Sequence, residues 1–212
     1  GEIMDHQDFW QGKYPESIAR TIDTNIYPTI LDLFKEACRK YANKPAFSNM
    51  GRTLTFAEVD KYSATFAAWI QQNTDLQVGD RIAVQMPNLL QYPIVVFGAM
   101  RAGLVIVNTN PLYTAREMEH QFKDAGCKAL VTLANFGQLV QEVLPKTGIR
   151  YVIISELADM LPFPKRVVVN NIVKYVKKLV PAYHLPMAIP FTQVMKANPS
   201  KFKEVTLKPD DI

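Results

Sequence analysis

Apolar and polar positions recur along this chain in two rhythms. YPTILDLFKEACRKYANKP sets Ile30, Phe34, Ala37, Cys38 and Tyr41 on one face at helical spacing, which predicts a helix from about Thr29 to Tyr41. PAFSNMGRTLTF then alternates on either side of Asn49-Met50-Gly51, the pattern of a hairpin whose turn uses the freedom of Gly51. Thr55-Phe56-Ala57-Glu58 has capping-box spacing, and Val59, Tyr62, Phe66 and Ile70 line a helix to about Gln72.

From Gly79-Asp80 onward, short apolar runs alternate with amphipathic ones. The runs RIAVQM (81–86), LVIVN (104–108), ALVTL (129–133) and YVIIS (151–155) read as strands. Residues 89–102, 114–125 and 135–144 read as helices, the second opening on a capping box, Thr114 to Glu117, and stopping at Gly126. Bounded apolar strands separated by helices predict an α/β fold: parallel βαβ layers covered by helices on both faces.

The rhythm fails after Glu156. Pro162, Pro164, Pro181, Pro186, Pro190, Pro199 and Pro209 punctuate a stretch without a clear further βα unit. Three regions result: a helix and hairpin over 1–55, a parallel-sheet unit over 56–155, and a Pro-punctuated basic segment over 156–212. Within the last, KRVVVNNIVKYVKKLVP reads as an amphipathic helix ended by Pro181. Val169, Ile172, Val173, Val176 and Val180 gather on one side of its wheel, with Asn170, Asn171, Lys174, Lys177 and Lys178 opposite.

Charge gives that segment its interest. The formal net charge is +4, from 24 basic and 20 acidic residues. Without Lys165, Arg166, Lys174, Lys177 and Lys178 the count is 19 against 20, so the basicity is local. A nucleic-acid role would call for a wider basic surface or repeated aromatic platforms, and none is visible. An anionic lipid surface fits the five cations, with Tyr175 and Tyr183 at a headgroup boundary. The other reading packs the valines on the sheet unit and leaves the lysines solvated.

Other classes drop out. Cys38 and Cys127 make no framework, which fits a reducing compartment. His6, His120 and His184 lie far apart and no CxxC exists, so no metal site is expected. The opening GEIMDHQDFW is acidic and polar, unlike a signal peptide. The most apolar window, 89–108, is broken by Pro93, Gly98, Arg101 and Gly103, and reads as helix then strand rather than a membrane span.

A doubly wound sheet binds ligands outside the carboxyl ends of its strands. Here those ends carry Pro87-Asn88, Thr109-Asn110-Pro111-Leu112-Tyr113, Ala134-Asn135-Phe136 and Glu156. They can bound a pocket but include no obvious nucleophile, base or metal cluster. Asn88 and Asn110 suit helix entry as well as substrate proximity. No GxGxxG and no GxxxxGK[ST] occurs. The residues alone therefore describe part of an α/β enzyme or a binding domain.

GDRIAVQMPNLLQYPIVVFGAMRAGLVIVNTNPLYTAREMEHQFKDAGCKALV resembles the N-terminal region of the adenylate-forming acyl-CoA synthetases, in their long-chain fatty acid branch. The resemblance begins near KYANKPAFSNMGRTLTF and runs through VVNNIVKYVKKLVPAYHLP, which is typical of that branch. It implies part of a large N-terminal domain of an enzyme that joins a long-chain fatty acid to AMP from ATP, with Mg2+, and then passes the acyl group to coenzyme A. The family's phosphate loop, rich in Ser, Thr and Gly and ending in lysine, follows a segment like KPDDI and is not among these residues. The resemblance therefore places no catalytic residue in this stretch, which is expected to be inactive alone. Pro87, Asn88, Tyr92, Asn110, Pro111 and Tyr113 are the substrate-proximal candidates. Lys165, Arg166, Lys174, Lys177 and Lys178 are the membrane-surface candidates. A homo-oligomer through uncovered faces is compatible with this reading, as is a different one: a non-catalytic α/β binding module tethered to anionic membrane.

Overall fold

The computed structural model describes residues 26–206. Helix α1, Tyr27–Lys40, starts earlier than the spacing predicts because Pro28 suits a first helical turn, where its missing N–H costs nothing. Strands β1, Pro45–Asn49, and β2, Arg52–Thr55, form the expected antiparallel hairpin. Both turn residues, Met50 and Gly51, sit at positive φ. Helix α2, Phe56–Asn73, begins with both halves of the Thr55–Glu58 box present.

The main sheet holds β3 (Arg81–Val84), β4 (Val105–Asn108), β5 (Cys127–Leu133), β6 (Tyr151–Ser155) and β7 (Ile189–Pro190). All pairs are parallel, in the order β4-β3-β5-β6-β7. Counted from β3 this is the doubly wound order 2-1-3-4-5. The fifth strand comes from the Pro-rich stretch, where no further unit was legible; two residues ending in a proline carry too little pattern to read. As an edge strand β7 tolerates that missing N–H.

Helices α3 (Gln91–Arg101), α4 (Ala115–Asp124) and α5 (Gly137–Val143) link the strands, and the Thr114–Glu117 box caps α4. Alternation along the strands divides the core. Ile82, Val84, Ile106, Val131 and Ile153 join a cluster with α1, α2 and α3. Ala83, Val107, Leu130, Val152 and Ile154 join another with Met118 and Phe122 of α4 and Val140 of α5. Both faces of the sheet are thus covered, as strands of near-continuous apolar residues require.

The free edge of β4 is closed by side chains. The Ile106 N–H donates to the Tyr27 hydroxyl at 3.0 Å, and Gln121 Nε2 donates to the Asn108 carbonyl at 3.0 Å. Such caps occupy groups that would otherwise template another strand.

After β6 come helix α6, Lys165–Asn171, a π-helical turn, Ile172–Val176, and a short helix α7, Phe191–Val194. The π turn and Lys178 at positive φ end the regular helix before Pro181. Among the described residues no helix is long and apolar enough to cross a membrane. Gly1, His6, the polar opening and KPDDI lie outside the described residues.

Candidate active site and basic surface

At the switch point, between β3 and β5, the crevice is filled. Gln85 is fully buried, accepts from Thr132 Oγ1 at 3.0 Å and reaches Met118 Sδ at 3.5 Å. Buried amides persist only with partners, and these two strand-end residues serve each other.

The sequence-predicted candidates fall into three places along this carboxyl edge. Pro87 is buried and Asn88 exposed, with the Asn88 carbonyl accepting from Asn49 Nδ2 at 3.1 Å. Tyr92, on α3, is buried and donates to Asn108 Oδ1 at 2.9 Å, pinning the last residue of β4. Asn110 turns the loop into α4: its Oδ1 accepts from Leu112 N at 2.9 Å and its carbonyl from Tyr113 N at 3.0 Å, over a buried Pro111. The Asn110 amide is thus used as a turn-former. Beside it Thr109 is fully buried, and its Oγ1 has no partner among the described residues.

A cavity of about 450 Å³ opens two strands further along, at the ends of β6 and β7. Glu156, Asp159, Arg166, Asn170 and Tyr183 supply its polar lining. Sequence reading reached Glu156 as a strand end but missed the other acid, because Asp159 is brought in by a turn. Asp159 Oδ2 accepts from Glu156 N at 2.9 Å and Ser155 Oγ at 3.0 Å. Asn170 joins α6 to this turn: its Oδ1 accepts from Ala158 N at 2.8 Å, and its Nδ2 donates to Asp159 Oδ1 at 3.2 Å. From the opposite side Gln91 Nε2, buried on α3, donates to Ser155 Oγ at 3.1 Å and to the Glu156 carbonyl at 3.0 Å.

Burial pushes the Asp159 carboxyl above its ordinary range against the pull of its hydrogen bonds and the Arg166 charge. Glu156 is pushed up as well, by burial and then by the Asp159 charge, with Lys174 pulling the other way. Tyr183 is raised by burial and by Glu156. Its ring lies against the start of α5, where a β-carbon on Gly137 would stand 2.4 Å from Cδ1. Among the described residues no group of three or more His, Cys, Asp or Glu side chains is placed to hold a metal ion.

The basic segment corrects the helical-wheel reading. Its one buried residue is Asn170, 8% exposed, which the wheel placed among the solvated polar positions. Val176 is 70% exposed, Tyr175 64%, Val168 54% and Ile172 41%, so Ile172 and Val176 do not pack on the sheet unit, whereas Val173 and Val180 of the same side do. The π turn shifts side chains off a regular 3.6-residue wheel, and two hydrogen bonds from Asn170 outweigh the burial of a valine. Lys165 Nζ reaches the Met50 carbonyl at 3.3 Å and Lys174 lies over the Tyr175 ring at 5.1 Å. Arg166 lines the cavity, and Lys177 and Lys178 are exposed. None of the five takes part in an ion pair among the described residues; nine other pairs exist there.

The family model for AMP-binding enzymes matches residues 34–212. A long-chain-fatty-acid–CoA ligase of Escherichia coli is 45% identical over 186 residues, covering 88% of this chain and 33% of the relative. The ligase of the same description from Haemophilus influenzae is 47% identical over 189 residues, covering 89% and 34%. The chain therefore spans about a third of the length of the curated relatives it matches. Among solved structures, an anthranilate CoA ligase aligns with a TM-score of 0.68 at 13% identity, over 92% of this chain and 32% of that one. A long-chain-fatty-acid-CoA ligase from Archaeoglobus fulgidus aligns with a TM-score of 0.62 at 20% identity, over 93% and 34%. At those identities the two alignments establish the fold.

Proposed function

The chain belongs to the family of AMP-binding enzymes, and on that premise we propose that it is the N-terminal part of a long-chain fatty acid–CoA ligase. Such a ligase activates a fatty acid with ATP to the acyl-adenylate and transfers the acyl group to coenzyme A. The observation that carries the reading is the 45% identity, over 88% of the chain, to a relative of that description.

Within this proposal the stretch contributes walls rather than reacting groups. Pro87, Asn88, Tyr92, Asn110, Pro111 and Tyr113 bound the acyl side along the carboxyl edge of β3 and β4. ATP, Mg2+ and coenzyme A belong to the whole protein. Among the described residues no group of three or more His, Cys, Asp or Glu side chains gathers, and the 212 residues contain no phosphate-cradling motif of the two common kinds. The chemistry of those groups is assigned to no residue of this stretch.

The five cations of 165–178 support a cytoplasmic protein in peripheral contact with an anionic inner membrane, the phase in which long acyl chains partition. Self-association is the competing use of the same exposed surface and is read by light scattering. A non-catalytic membrane-tethered module is the second reading, favoured by the local basicity and the exposed apolar side chains of 165–178. The reading frame and one assay separate them. A Ser/Thr/Gly-rich loop ending in lysine just past KPDDI, with acyl-CoA formed by the complete gene product from a series of fatty acids, supports the ligase. A stop codon there, with no acyl-CoA formed, overturns it.

A further inference from the structure

Helix α6 and its π turn are docked the wrong way round for a helix that only completes a core. The stripe turned toward the domain is Arg166, Val169, Asn170 and Val173, with the asparagine most buried. Turned outward are Val168, Ile172, Tyr175 and Val176, with Val167 beside them. Phe163, 75% exposed, extends the set at the amino end. Several large apolar side chains exposed within one short segment point to a partner.

The surrounding charge says which partner. No acidic residue occurs from Lys165 to Pro186, and all five cations of that run lack an ion-pair partner among the described residues. A protein surface complementary to this one would have to supply both an apolar groove and several carboxylates. An anionic bilayer supplies an apolar interior beneath a negative surface without any shape requirement. Tyrosine favours that boundary, and lysine stems reach from an apolar position to the headgroups.

We infer that Phe163, Val168, Ile172, Tyr175 and Val176 insert into the headgroup boundary of an anionic membrane, with Lys174, Lys177 and Lys178 as its charged rim. The inference rests on the reading of peripheral membrane contact above and sharpens it: the apolar face, rather than the lysines alone, holds the chain on lipid. Asn170 is the hinge-pin that keeps this face outward, since its side-chain bonds to Ala158 and Asp159 fix the roll of the helix.

Co-sedimentation of the complete gene product with vesicles of phosphatidylcholine and phosphatidylglycerol tests it, beside phosphatidylcholine alone. Wild type is expected to bind the anionic vesicles and to stay bound in part at about 1 M salt, where the screening length is about 3 Å. Val168→Ser/Ile172→Ser/Val176→Ser is expected to lose about tenfold or more in partitioning at both salt concentrations. Lys174→Gln/Lys177→Gln/Lys178→Gln is expected to lose its preference for anionic vesicles while keeping residual binding. Val176→Asp, at the most exposed of these helix positions, repeats the test without a burden on folding, and circular dichroism checks each variant. Wild type that binds no vesicle overturns the membrane reading itself. Wild type released wholly by salt, or serine variants that bind as wild type does, overturn only the inserted face. A stable dimer dispersed by Val176→Asp, with no vesicle binding, assigns the face to a second copy of the chain and overturns both.

Discussion

Asn170 Nδ2 lies 3.2 Å from Asp159 Oδ1, and the other oxygen of that aspartate holds the turn leaving β6. One carboxylate thus joins the carboxyl end of the sheet to the basic helix, and the roll of that helix follows from it.

Asn170→Ala leaves Ala158 N and Asp159 Oδ1 without these bonds in a buried place. The expected loss is about 1–3 kcal/mol, the penalty for stranded polar groups. Urea midpoints measure it. Amide exchange over 165–176 should rise more than exchange in β5, because the bond secures the helix rather than the sheet.

Asp159 gives an acid dependence of unusual sign. Its folded pKa is raised, so its protonation favours the folded chain; the contribution is present below the unfolded carboxyl pKa and lost as pH rises through the folded one. Wild type should therefore gain stability relative to Asp159→Asn as pH falls from neutral through the carboxyl range. The carboxylates lowered by surface partners, Glu36, Asp75 and Glu119, act the other way but are common to both proteins. Thermal melts across pH measure the difference, and a difference that shrinks on acidification would contradict it.

Gly98→Ala should destabilise despite the better helix propensity of alanine, worth about 1 kcal/mol. A β-carbon there would stand 2.7 Å from Phe66 Cδ1 and 2.9 Å from the Ser63 carbonyl oxygen. The side chain can turn but the α2 backbone must move, so a net loss of about 1–3 kcal/mol is expected in urea.

Tyr27→Phe removes the acceptor of the Ile106 N–H at the edge of β4. The expected cost is about 1–3 kcal/mol, with faster exchange of the Ile106 amide. Unchanged exchange at Ile106 would show that the edge is closed by something other than the phenol.

Much of this architecture was legible because strands buried on both faces carry their own signal. RIAVQM, LVIVN, ALVTL and YVIIS each contain the observed strand or most of it, and both capping boxes formed as spaced. The site was less legible, since its parts meet only through tertiary contact. Asp159, Asn170 and Tyr183 are scattered along a Pro-rich stretch, and no period joins them. The wheel of 165–180 left two orientations open, because it cannot show that two hydrogen bonds at Asn170 and a π turn set the roll. Asn110 was legible as a helix-entry or a site residue; its bond to Leu112 N makes it a turn-former instead, and Thr114 takes the cap of α4.

The central claim is tested most directly by supplying palmitate, ATP, Mg2+ and coenzyme A to the complete gene product and, in parallel, to residues 1–212 alone. Palmitoyl-CoA and AMP should appear together with the complete product, and neither with the isolated stretch. Steady pyrophosphate release by the isolated stretch, or no acyl-CoA of any chain length from the complete product, would contradict the account.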